Sequence, residues 1–172
     1  MSVEKLIFEN LIHNENYGRQ VIPFLKEDYF QDSSDKIIFN LINSYVQKYN
    51  AFPTKEALFI DLSNKDNISE TSFKIARETI GNIDNAGDQK IEWLIDQTEK
   101  FCQEKAIYNA IMSSIQILND KTSKISKGAI PQILSDALAV SFDTHIGHDF
   151  TEDAESRYEF YHTKEVKIPF DL

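Results

Sequence analysis

Residues 91–118 read IEWLIDQTEKFCQEKAIYNAIMSSIQIL. Neither glycine nor proline interrupts them, so at about 3.6 residues per turn they allow one helix of roughly seven to eight turns. Leu94, Phe101, Tyr108 and Ile115 recur every seven residues, flanked by Ile91, Ile95, Thr98, Cys102, Met112 and Leu118. Ile107, Ile111 and Leu118 fall off this main stripe, so the apolar surface is wider than one partner helix needs. Two fillings satisfy it: the rest of the same chain, or another subunit.

Downstream, the polar stretch 119–127 and Gly128 lead into Ile130, Ile133, Leu134, Ala137, Leu138 and Ser141, again at helical spacing. Long helix, polar turn and second helix make an αα-hairpin over residues 87–142. Upstream, residues 1–86 carry shorter helical patterns. Val3, Leu6, Ile7 and Leu11 share one face, and Tyr17, Val21, Ile22 and Leu25 suggest a second helix interrupted by Pro23. Ser33-Ser34-Asp35 supplies N-cap chemistry ahead of Ile37, Ile38, Leu41, Ile42, Tyr45 and Val46. Thr54 is the expected cap of a helix over 55–62, and Ser69 opens another that runs to Ile80 and stops at Gly81. The expected fold is therefore all-α, a small multi-helix head followed by a long hairpin.

Residues 143–172 have a different texture. They hold eight acidic and three basic residues, which is half of the chain's net charge of −10. Thr151-Glu152-Asp153-Ala154-Glu155 reads as a capped, acid-loaded first turn, favourable at the positive end of a helix. Phe150, Ala154, Tyr158 and Tyr161 follow one face of that linker helix, and Lys167-Ile168-Pro169-Phe170 is expected to be extended.

The chemistry-bearing residues are sparse. The five glycines, Gly18, Gly81, Gly87, Gly128 and Gly147, are too scattered for a phosphate-cradling loop, and neither G-x-x-x-x-G-K-[ST] nor G-x-G-x-x-G occurs. A net charge of −10 argues against a surface that wraps nucleic acid throughout. Cys102 is the single cysteine, which excludes an internal disulfide and suits a reducing cytosol. No apolar run is long enough to span a membrane. The chain is thus expected to be cytoplasmic. His145, His148 and Asp149 have ligand chemistry for Zn²⁺ or Mn²⁺, but Gly147 between the histidines weakens their placement on one helix face, and the segment reads better as a polar linker. No catalytic, cofactor-binding or metal residue is assigned.

The sequence resembles the N-terminal region of DnaB-type replicative DNA helicases, most closely those of the primosomes of T-even-like bacteriophages. Leu6-Ile7-Phe8-Glu9-Asn10-Leu11-Ile12, Tyr29-Phe30, Ile37-Ile38-Phe39-Asn40-Leu41-Ile42, Pro53-Thr54 and Ala57-Leu58 carry the likeness in the head. In the hairpin it rests on Trp93-Leu94, Thr98-Glu99-Lys100 and Gly128-Ala129-Ile130-Pro131. The most specific stretch is Ala137-Leu138-Ala139-Val140-Ser141-Phe142-Asp143, running into Gly147-His148-Asp149-Phe150, Glu152-Asp153 and Arg157. Lys167-Ile168-Pro169-Phe170 is similar to the segment just ahead of the family's motor domain.

The resemblance implies a collar domain of a hexameric, ATP-dependent 5′–3′ helicase. Hairpins of sister subunits pair into dimers and a trimer of dimers, and a linker helix docks on the neighbouring motor domain. Primase and helicase loaders engage such assemblies. ATP, Mg²⁺ and the main single-strand contacts belong to a RecA-like domain expected after residue 172. On this reading Phe101, Tyr108, Ile111, Ile115, Ile133, Leu134 and Leu138 form the subunit interface, and Phe150, Ala154, Tyr158 and Tyr161 the linker's docking face. Two alternatives stay open: a free-standing helical adaptor, and a small metal-dependent hydrolase using His145, His148 and Asp149.

Overall fold

Four side chains set where the helices of the head begin. Ser2 Oγ accepts from the Lys5 N–H at 3.2 Å, Asn14 Oδ1 from Tyr17 at 3.1 Å, Thr54 Oγ1 from Ala57 at 3.3 Å and Ser69 Oγ from Ser72 at 3.1 Å. Each satisfies a donor that the first helical turn leaves without an internal partner. The computed structural model describes residues 2–84, 87, 89–119 and 125–142. Among these the α-helices are α1 (Val3–His13), α2 (Glu15–Val21), α3 (Ser33–Tyr49), α4 (Lys55–Ser63), α5 (Glu70–Gly81), α6 (Ile91–Asn119) and α7 (Ile130–Leu138). Single 3-10 turns stand at Glu27–Tyr29 and Lys127–Ala129. No strand occurs among the described residues, and the fold is all-α as the periodicity requires.

The boundaries differ from expectation by small amounts with identifiable causes. Asp32 takes the N-cap position of α3 without making a side-chain cap bond, so Ser33, Ser34 and Asp35 are its first three helical residues. At its other end Asn50 adopts the left-handed conformation (φ 50°) that asparagine tolerates better than most residues. Gly81 is the last residue of α5, and the helix closes one position later at Asn82. α7 ends at Leu138, short of Ser141, because residues 140–142 take different partners.

Residues Met1–Phe142 form one compact unit. Its centre is Phe30, whose ring lies 5.1 Å from Phe8, 5.0 Å from Phe39 and 5.7 Å from Phe101. Around this aromatic row pack Ile7 and Leu11 of α1, Val21 of α2, Ile38 and Ile42 of α3, Leu58 and Leu62 of α4, and Ile80 of α5. The N-terminal half of α6 completes the core with Leu94, Phe101 and Cys102. The long helix therefore belongs to the head through one half of its length and to the hairpin through the other. The linker residues Phe150, Ala154, Tyr158 and Tyr161, and likewise His145, His148 and Asp149, lie outside the described residues.

Candidate interaction face on the long helix

The buried positions of α6 are Leu94, Thr98, Phe101, Cys102, Ala106, Ala110, Ser114 and Ile117. They advance mostly by four, and at about 100° per residue each such step turns the buried face by roughly 40°. The face that the chain covers therefore winds around the helix, starting against the head and ending against α7. Small residues fill the second half, Ala106, Ala110 and Ser114, which lets α7 lie close with Ile133 and Leu134 turned toward the core.

This winding leaves large apolar side chains on the other side of the C-terminal half about half exposed. Tyr108 (49 % exposed), Ile111 (46 %), Met112 (43 %), Ile115 (45 %) and Leu118 (54 %) follow the 3-1-3-3 spacing of one helix face. Five half-exposed large apolar side chains in a row differ from the scattered surface leucines that any protein carries. Lys105 holds the helix to the head by an ion pair to Glu4 at 3.6 Å, and Asn109 Nδ2 donates to the Asp28 carbonyl at 2.7 Å.

The residues expected at a subunit interface are thereby separated. Tyr108, Ile111 and Ile115 share the exposed face. Phe101 does not: it is 5 % exposed and its ring packs on Phe30, so the chain's own head covers it. Ile133 and Leu134 are half-buried against the core, and Leu138 is 71 % exposed at the end of α7. Met112 and Leu118 join the exposed face although the seven-residue recurrence does not include them. Their signal in the sequence is the i, i+3, i+4, i+7 pattern starting at Tyr108, which competes with the heptad starting at Leu94.

The polar interior offers fixed hydrogen bonds. Thr98 Oγ1 donates to the Leu94 carbonyl at 2.8 Å and lies 2.6 Å from the Tyr17 hydroxyl, whose ionisation burial pushes well above its ordinary range. Burial first, and then the Glu99 carboxylate, pushes the Cys102 thiol up to about 12. It stays protonated at neutral pH, and a buried thiol in that state is a poor nucleophile. Glu9 is 2 % exposed with Oε1 3.5 Å from Lys5 Nζ, a structural ion pair inside α1. Among the described residues no group of histidine, cysteine and carboxylate side chains is placed to hold a metal ion, and no helix is long and apolar enough to cross a membrane.

Comparison with known proteins finds a relative for this all-α unit. The chain is 32 % identical to a DnaB-like replicative helicase of Enterobacteria phage T4, over 98 % of its own length and 37 % of the phage protein. The chain thus spans a little over a third of that relative, an N-terminal part, and the resemblance to DnaB-type N-terminal regions stands. No family model matches the chain.

Proposed function

We propose that this chain serves as the N-terminal collar of a hexameric, ATP-dependent 5′–3′ replicative DNA helicase, with assembly and partner docking as its work. The observation that carries the reading is the bare face of α6. Tyr108, Ile111, Met112, Ile115 and Leu118 point away from the core that the same helix helps to build, and a second copy of the hairpin supplies a matching apolar face by symmetry. The similarity to a DnaB-like helicase supports the wider role.

In this reading paired hairpins build dimers, a trimer of dimers and then a ring. ATP and Mg²⁺ act in a RecA-like domain downstream, and most single-strand contacts lie there. Primase, and a helicase loader, engage the assembled collar. The acidic segment 143–172 serves as the linker that docks on a neighbouring subunit.

Sedimentation velocity of the 172-residue chain across micromolar concentrations tests the assembly step. Self-association that weakens on dilution and is lost on Ile111→Asp supports hairpin pairing. A strict monomer at every concentration overturns it for this chain.

A further inference from the structure

Beyond Leu138 the chain leaves regular structure, yet side chains from two separate parts of the fold hold it. Gln103 Nε2 of α6 donates to the Val140 carbonyl at 3.1 Å. The Phe142 N–H donates to Glu99 Oε1, one turn earlier on α6, at 3.0 Å. The same Glu99 oxygen accepts from Gln103 Nε2 at 3.2 Å, so one carboxylate organises both attachments. The third comes from the head, where the Phe24 ring, just after α2, stacks on Phe142 with centroids 4.4 Å apart and planes 20° from parallel.

Within the fold α7 contributes Ala137 to the core, with Ile133 and Leu134 packed beside it. A cavity of about 280 Å³ separates Lys26, Asp28 and Tyr29 of the head from Ile133, Ala137 and Val140 of the second arm. With nine residues, α7 is too short to persist as a helix unless it is packed. Phe24, Glu99, Gln103 and Phe142 are all only half-buried, so their contacts sit at the rim of the fold and can open without unfolding the core.

We propose that residues 140–142 form a latch. Closed, it pins the end of the hairpin's second arm to the head and to α6 at once. Open, it frees the end of α7 beside the cavity that Ala106, Ala110, Ile133 and Ala137 line. The latch also fixes the point from which any pull on the following chain enters the head, through Phe142 to Phe24.

Hydrogen–deuterium exchange of the 172-residue chain carrying Phe24→Ala with Glu99→Ala tests this. Exchange over residues 130–142 is expected to rise by about tenfold or more while α1 and α3 keep their protection. Unchanged exchange over 130–142 overturns the latch, as does an equal rise in α1 and α3, which marks general destabilisation instead. Should the double variant not fold, Gln103→Ala alone removes one attachment and leaves the head intact. It must raise exchange in the same segment by a smaller factor, and no rise there also overturns the proposal.

Discussion

The Tyr17 hydroxyl lies 2.6 Å from Thr98 Oγ1 at a buried point where α2 meets α6. Because Thr98 gives its own proton to the Leu94 carbonyl, Tyr17 is the donor of the pair. The two removals are therefore unequal. Tyr17→Phe leaves Thr98 with its donor bond intact and should cost about 1 kcal/mol. Thr98→Val strands a buried phenol proton and should cost roughly 2–3 kcal/mol. Urea denaturation of both variants checks the order; equal losses would show that the tyrosine finds another acceptor.

Asp35 gives the fold a pH dependence with a definite sign. Burial, then the nearby Asp32 and Glu4 carboxylates, raise its pKa from 3.8 to about 6. Between these values the folded protein keeps a proton that the unfolded chain has lost, so stability rises as pH falls from 7 toward 5. The gain is complete below about pH 4, where both states are protonated. Since the group is only about half-buried, its contribution is discounted to about 1 kcal/mol. Thermal melts from pH 7 to 5 should show this slope, and Asp35→Asn should flatten it and raise the melting temperature at pH 7.

The starts of α4 and α5 were legible because capping is local. Thr54 and Ser69 each meet a backbone N–H three residues ahead. The all-α class was legible for the same reason, since periodicity needs only one helix at a time. Which side of α6 faces what was not. The heptad joins Phe101 to Tyr108, yet Phe101 meets the head and Tyr108 is half exposed, because the partner of the helix changes along its length. Gly18, read only as too isolated for a phosphate loop, has a packing reason instead. A Cβ there would stand 2.6 Å from Phe52 Cε1, so the glycine makes room for a ring from beyond α3. The Phe24–Phe142 stack likewise joins distant parts of the chain, and no local pattern announces it.

Lys55 closes a helix to which it does not belong. From the first turn of α4 its Nζ donates to the carbonyl of Gly81, the last residue of α5, at 3.0 Å and to the Ile83 carbonyl two residues further on. A cation there meets the negative end of the helix and satisfies carbonyls that have no internal partner. Lys55→Met keeps the aliphatic stem and removes the charge. It should cost about 1 kcal/mol, with faster amide exchange confined to the last turn of α5. Loss spread evenly over the head would contradict a capping role.

The two faces of α6 should respond in opposite ways to substitution. Phe101 is packed on Phe30 inside the core, so Phe101→Ala should cost about 3–5 kcal/mol in unfolding free energy. Ile111, on the opposite face, is 46 % exposed. Ile111→Asp should change the stability of the monomer by about 0.5 kcal/mol or less, while removing an apolar contact from any paired hairpin and placing a charge there that a dry interface cannot solvate. Chemical denaturation at nanomolar protein isolates the first effect, and sedimentation at micromolar protein isolates the second. A large stability loss from Ile111→Asp in the dilute regime would mean that the face is already covered within one chain. Unchanged association would mean that subunits meet elsewhere. The expected pattern, a stable monomer that no longer pairs, separates the half of α6 that builds the head from the half that is free to build an assembly.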